Sequence, residues 1–277
     1  MVLALRYGID LGTLGRYAEP GVAVEVAREA EAAGWEGLFV WDHLGYVWDA
    51  PSADPWVLLA AMAQATGRLR LGTAVTPLPR RRPAVLAGEV ATLDRLSGGR
   101  VIFGAGIGGV ASEFSAFGEP DDAGHRAAML DEGLDVVTRL WSGERVTHAG
   151  RFYRVDGVTM APLPVQRPRV PVWIGGTVGA ARRRAARWDG WIVACDDEQG
   201  SMLVPPARIS AGAAGIAALR PAGAPFDIAV IGASAGSGGP APSAYAAAGA
   251  TWWLEHIHGR RGSPDSMLER VRTGPPR

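Results

Sequence analysis

The chain has 277 residues, 48% hydrophobic and 20% charged, with 28 basic residues balancing 28 acidic ones for a net charge of +0. That balance leaves no long-range field to favour nucleic acid or an anionic membrane, and no apolar run approaches the length of a membrane span. Every basic residue is Arg, so a Schiff-base lysine is excluded, and the single cysteine, Cys195, rules out an internal disulfide.

Leu5 to Leu11 reads as a strand and Pro20 to Ala33 as a helix, with Val22, Val26, Ala30 and Ala33 at helical spacing and Gly34 as its stop. Gly37 to Trp41 is a second strand, ending on Asp42 and His43. Asp54 caps a helix reaching about Thr66, with Pro55 in its first turn. Leu69 to Val75 is strand three, Pro83 to Leu96 a helix, and Arg100 to Ala105 strand four. A glycine-containing loop then leads to a helix from about Gly124 to Trp141. Val146 to Val155 forms a hairpin around Gly150. Val170 to Ile174 is strand five, Gly179 to Arg187 a helix, and Gly190 to Ala194 strand six. The remaining pattern is weaker: a helix over Pro205 to Leu219, strands at Phe226 to Ile231 and Thr251 to Leu254, and helices at Ser243 to Ala248 and Pro264 to Val271. Ala233 to Ala250, rich in Gly, Ala, Ser and Pro, is expected to be a mobile loop followed by a short helix.

About eight alternating strand–helix pairs imply parallel pairing with right-handed crossovers, which a (β/α)8 barrel satisfies in one domain spanning residues 1–277. A doubly wound open sheet would rarely use so many pairs. In a parallel α/β protein the chemistry sits at the carboxyl ends of strands, which singles out Asp42 and His43. His43 reads either as a catalytic imidazole or as a histidine bonded into the core. Asp42 beside it could hold a tautomer or bind a polar ring group.

Gly104-Ala105-Gly106-Ile107-Gly108-Gly109 follows strand four. A dinucleotide fingerprint needs a helix to open on its glycines, whereas Ser112, Glu113, Phe114, Gly118 and Pro120 continue a loop. The segment reads better as a strand end bare of side chains, against which a flat ring can lie. Gly175-Gly176-Thr177 is either an anion site at a helix start or an ordinary βα turn. His125, His148, His256 and His258 show no metal-ligand spacing, so no metal site is expected. Cys195 reads as a buried core residue and, with an amino-terminal segment lacking a signal-peptide pattern, points to the cytoplasm.

In this order the segments resemble the bacterial luciferase-like family of flavin- and deazaflavin-dependent oxidoreductases. The resemblance is carried by Ala27 to Gly34 running into Trp41-Asp42-His43, by Leu71 to Val75, and by Arg82-Pro83-Ala84 leading to Ala91 to Arg100. Gly104-Ala105-Gly106, Leu140-Trp141 and Pro171 to Gly176 extend it, over roughly residues 5 to 195. It implies a (β/α)8 barrel with an isoalloxazine-type ring at the carboxyl ends of the strands. Ala74-Val75 would be a non-prolyl cis bulge backing the ring, Gly106, Ile107 and Gly108 would line the ring or its side chain, and Gly175, Gly176 and Thr177 would hold the phosphate. Asp42 and His43 match the deazaflavin-using branch, which favours F420 over FMN, with His43 moving a proton and Asp42 orienting it or the ring. Members that oxidise a sugar phosphate carry a glutamate where this chain has Gly109, so that substrate class is not expected and His43 has no evident proton partner. The resemblance also implies a homodimer acting on a small organic substrate. The rival reading is a non-catalytic flavin-binding barrel, motivated by Gly109 and the alanine-rich carboxyl-terminal third.

Overall fold

A computed structural model describes residues 4–197, 199–234 and 239–276. Eight parallel strands close into a barrel: β1 (Arg6–Leu11), β2 (Gly37–Val40), β3 (Arg70–Thr73), β5 (Val101–Gly106), β8 (Val172–Gly175), β9 (Gly190–Ala194), β10 (Asp227–Gly232) and β11 (Trp252–Ile257). A two-residue strand, β4 (Thr76–Pro77), continues beyond β3 and pairs with β5. Closure is made by β1, which pairs with β2 on one side and β11 on the other. The helices α1 (Pro20–Ala32), α2 (Pro55–Ala65), α3 (Pro83–Leu96), α5 (Ala123–Leu140), α6 (Gly179–Ala185), α7 (Pro206–Ala217), α8 (Pro242–Ala247) and α9 (Pro264–Arg272) follow their strands in turn. A single-turn helix, α4 (Ser112–Ser115), interrupts the loop after β5.

Local chemistry sets these boundaries. The Asp54 carboxylate accepts from the backbone N–H groups of Trp56 and Val57, opening α2, and Asp122 accepts from that of His125 at 2.6 Å, opening α5. Gly34 takes φ +87°, the left-handed turn that ends α1. The expected hairpin is present as antiparallel β6 (Val146–Ala149) and β7 (Arg154–Val158), with Gly150 in its turn. The expected mobile loop within Ala233 to Ala250 includes residues 235–238, which fall outside the described residues.

Two apolar layers hold the barrel. Between strands and helices lies a continuous core that includes Ile9, Leu59, Leu71, Val90, Leu134, Ile174, Val193 and Ile257. Inside the barrel, Phe39 stacks on Trp173 at 5.3 Å, and Trp252 meets both edge-on at 6.0 and 5.8 Å. Ile102, Ile192, Ala229, Ile231 and Leu254 complete this plug. Burying each large ring contributes about 4–6 kcal/mol as an upper figure, so this plug closes the barrel and gives the mouth a firm floor. Cys195 is 1% exposed, and burial pushes its thiol up to about 12, in keeping with a core residue.

Three of the differences from the sequence reading bear on the site. The strand expected over Leu69 to Val75 ends at Thr73, and the chain bulges through Ala74 and Val75 before β4. The last barrel strand runs to Ile257 rather than Leu254 and so includes His256. The segment after β5 is not loop throughout, since α4 carries Glu113.

Candidate active site

The carboxyl ends of β1, β2, β3, β5, β8, β9 and β11 meet at one mouth, the face on which barrels of this kind carry their chemistry. His43 follows β2 with its side chain 29% exposed, between Trp41 and Trp48, whose ring centroids lie 5.6 and 5.4 Å away. Its Nδ1 is 2.6 Å from the Glu113 carboxylate. Glu113 is 1% exposed, and its other oxygen accepts from Arg80. Burial alone would raise the Glu113 carboxyl, but the hydrogen bond and charge of His43, with Arg80, outweigh it and hold the group below the usual range. A carboxylate on Nδ1 fixes the imidazole so that Nε2 is the nitrogen left to give or take a proton.

Glu113 corrects the expectation that His43 has no acid partner: Gly109 supplies none, but the carboxylate four residues on does. No sequence pattern announces that pair. It depends on the α4 turn bringing the segment after β5 back to the end of β2. The three consecutive arginines Arg80, Arg81 and Arg82 ahead of α3 were the available hint, since buried arginines need carboxylates.

Asp42 acts from behind His43. Its side chain is 1% exposed, one oxygen accepts from Arg80 Nη2 at 2.9 Å, and the other from Arg81 Nε at 2.9 Å. Arg80 also donates to the Asp42 backbone carbonyl at 2.8 Å. Among the described residues, both carboxylate oxygens are therefore engaged by guanidinium groups rather than by His43. The charges alternate from Glu113 to Arg80, Asp42 and Arg81, and His43 is the exposed end of the chain.

The bulge, the glycines and the plug converge. The peptide bond between Ala74 and Val75 is cis, as the resemblance implied. Ala74 and Val75 are half-buried against the aromatic plug. A Cβ on Gly106 would come within 2.5 Å of Val75, and one on Gly175 within 2.9 Å. The side of each glycine on which a Cβ would stand is therefore filled by Val75. Gly108, at φ +83°, closes on Phe114, where a Cβ would sit 2.7 Å from the ring. Ile107 is half-buried against the outer core.

The phosphate expectation falls on Gly175, Gly176 and Thr177. The Gly176 N–H donates to the Ile192 carbonyl at 3.1 Å, and its carbonyl accepts from Trp191 Nε1 at 2.6 Å, so that amide is not open to an anion. Thr177 is exposed and lines a small hollow with Arg182, Arg208 and Trp191.

A second polar group went unread. Asp10, at the end of β1, sits opposite His256 in the β1–β11 register. His256 is two residues beyond the plug residue Leu254, and Asp196 four beyond Ile192, so all three share the inward parity of the plug. Asp10 accepts from Trp41 Nε1 at 2.8 Å and lies 3.5 Å from His256 Nε2, while His256 Nδ1 bonds Asp196 at 2.9 Å. The rings of His256 and His258 are 4.3 Å apart. Burial pushes the Asp10 carboxyl up to about 6, with His256 and the Trp41 N–H pulling the other way. For His256, burial opposes the charge, but the hydrogen bond to Asp196 and the charge of Asp10 outweigh it, and its pKa is raised. Burial, then the cations His256 and Arg261, push His258 down to about 4, so it is neutral at pH 7. His256, within β11, and His258, one residue beyond its end, were the signal; it was missed because the strand was expected to stop at Leu254.

Relatives of known kind share this architecture. The chain is 35% identical over 192 residues to an F420-dependent glucose-6-phosphate dehydrogenase of Microbacterium testaceum, covering 68% of this chain and 55% of that one. It spans about half the length of the curated relatives it matches. Among solved structures, a monooxygenase from Streptomyces bottropensis superposes with a TM-score of 0.79 at 22% identity, over 97% of each chain. An F420-dependent secondary alcohol dehydrogenase, solved with an F420–acetone adduct, does so at 0.71 and 24%, over 83% of this chain and 69% of that one. The profile of the family described as luciferase-like monooxygenase matches residues 6–235. With the barrel and its mouth as described, the chain belongs to the luciferase-like monooxygenase family.

Proposed function

We propose that this protein is an F420-dependent oxidoreductase in which His43, held by Glu113, exchanges the proton that accompanies hydride transfer to or from a small organic substrate. The observation that carries the reading is the 2.6 Å contact between His43 Nδ1 and a buried carboxylate at a strand end, beside the half-buried bulge Ala74–Val75. Val75 gives an apolar seat of the kind a flat tricyclic ring needs, so the residues fit such a group. A bound deazaflavin would supply the hydride chemistry. His43 would hold or release a proton at Nε2, Glu113 would keep the ring oriented, and Arg80 would keep Glu113 ionised. Asp42 would fix both arginines. Thr177 with Arg182 and Arg208 is the remaining candidate for a phosphate. The named F420-dependent relatives favour F420 over FMN. We also carry forward the homodimer as an expectation that sedimentation at micromolar concentration decides.

Titration of the purified protein with F420 and with FMN, read by fluorescence quenching, tests the cofactor. Oxidation of reduced F420 and reduction of F420 across a panel of alcohols and ketones tests turnover. Saturable F420 binding, with turnover that His43→Ala abolishes while binding persists, is the expected result. Tighter binding of FMN overturns the cofactor assignment, and binding without turnover across the panel favours a non-catalytic barrel.

A further inference from the structure

A cavity of about 460 Å³ lies at the pole of the barrel opposite the mouth, against the amino ends of β1, β8, β9 and β10. That volume falls within the range of small-molecule sites, roughly 300–1,000 Å³. Trp173 lines it and belongs to the plug with Phe39 and Trp252, so the plug stands between this cavity and the mouth. The cavity is therefore not an extension of the candidate active site.

Its wall is richer in donors than in acceptors. Arg6, Arg167 and Arg169 line it together with Asp189 and Asp227, a surplus of one positive charge. The carboxylates are largely spent within the wall. Asp189 accepts from Arg169 through both oxygens and from the Val172 N–H at 2.7 Å. Asp227 Oδ1 accepts from Arg6 and, at 2.8 Å, from the Thr251 hydroxyl. The donors are not spent. Arg167 uses Nη1 alone, on the carbonyls of Pro164 at 2.7 Å and Gln166 at 3.3 Å, which pins its guanidinium group without neutralising it. Its Nε and Nη2 have no acceptor among the described residues, and these two N–H groups form the parallel fork that takes both oxygens of a carboxylate. Arg169 Nε is likewise without an acceptor among the described residues.

Beside these donors the wall is apolar, with Phe226 and the prolines Pro168, Pro171 and Pro225. A cation would meet three arginines. A neutral apolar guest would leave the Arg167 fork bare, and a small hydrated anion would leave the apolar wall bare. We propose that this cavity binds an aromatic carboxylate, its carboxylate on the Nε–Nη2 fork of Arg167 and its ring against Phe226 and the prolines. The site is separate from the mouth and does not depend on which cofactor the mouth takes.

Benzoate and benzamide are matched probes, nearly the same in shape, one charged and one neutral. Each is titrated into the whole protein while the side-chain ¹H–¹⁵N signals of its tryptophans and histidines are followed, that of Trp173 being assigned by its absence in Trp173→Phe. The expected result is a saturable shift of the Trp173 signal, with benzoate at least tenfold tighter than benzamide and weakened as salt rises. Arg167 pairs with no carboxylate among the described residues, so Arg167→Gln should leave Tm unchanged and cut benzoate affinity tenfold or more. Arg167→Lys, which keeps the charge but not the fork, should recover only part of it. Equal affinities for the two probes, benzoate binding untouched by Arg167→Gln, or no saturable shift overturn the site and leave the arginines as a solvated rim. Acetate or inorganic phosphate binding as tightly as benzoate overturns the aromatic assignment. A shift at His43 in place of Trp173 puts the probe in the mouth and overturns the site as well. None of these readouts uses F420, so the site and the proposed function fail separately.

Discussion

Glu113→Gln is the most discriminating perturbation of the mouth. Glutamine keeps the volume and one acceptor but turns the other oxygen into an N–H donor. Glu113 faces donors on both sides, Arg80 and His43 Nδ1, the latter at 2.6 Å, so one of the two must then meet a donor. A hydrogen bond to a charged group contributes about 1.5–3 kcal/mol, and the loss falls at a side chain only 1% exposed. Asp42 continues to neutralise Arg80, so the stability cost should stay near about 2–3 kcal/mol, roughly 4–12 °C in Tm for a chain of this size. Turnover should fall further than stability implies. A positioned acid–base group contributes about 10²–10⁴ in rate, and misorienting it should forfeit at least about 10². The assay follows deazaflavin absorbance with a substrate found in the panel, for wild type, Glu113→Gln, His43→Ala and the double variant. The double variant should be no slower than His43→Ala, because the two residues act as one unit. Independent, additive losses, or a Glu113→Gln enzyme within threefold of wild type, would refute the pairing as catalytic.

Asp42→Ala should behave in the opposite way to Glu113→Gln in its balance of effects: it strips Arg81 and half of Arg80 of their buried partner, costing about 3–5 kcal/mol, so the loss of Tm should dominate in thermal unfolding. The Glu113 carboxyl is held below its usual range in the folded state, so its contribution is fully present above its unfolded pKa and is lost as pH falls through the folded value. The stability gap between wild type and Glu113→Gln should therefore be constant above about pH 5 and narrow in acid, as read by urea titration at stepped pH. Gly108→Ala places a Cβ at φ +83° and 2.7 Å from Phe114, and should cost about 2–3 kcal/mol, whereas Gly109→Ala meets nothing within 4 Å and should stay within about 0.5 kcal/mol. Cys195, 1% exposed with its thiol pushed up to about 12, should resist a disulfide reagent in the native state at pH 8 and react stoichiometrically once urea unfolds the chain.

How far the sequence could be read follows the range of the interactions involved. The barrel was legible because each β–α pair announces itself locally. Asp54 and Asp122 cap their helices through N–H groups two or three residues away, and Gly34 ends its helix by a backbone turn of its own. Eight such units in alternation have few ways to pack, and right-handed crossovers leave the barrel. The place of His43 was legible for the same reason, since a strand end in a parallel fold is a mouth position wherever the strand lies.

The partners of His43 were not legible, because they are set by closure. Glu113 is 70 residues from His43 in sequence, and Arg80 is 33 from Glu113. Nothing in either segment reports that α4 turns back towards β2. What lies beside two of the glycines was hidden for a related reason. Gly106 and Gly175 read as openings for a ligand, yet the space beside each is occupied by Val75, a residue of the same chain that arrives from the bulge between β3 and β4. A missing side chain signals close approach without naming what approaches. His256 and His258 lay between the two cases. Their spacing of two was visible, but it has meaning only on a strand. Trp252 and Leu254 already fix that strand's inward face as the apolar plug, so extending it to His256 makes the next inward layer polar. That step from apolar plug to polar floor separates packing from chemistry in this barrel, and the residues of the step are the ones to change first when its substrate is sought.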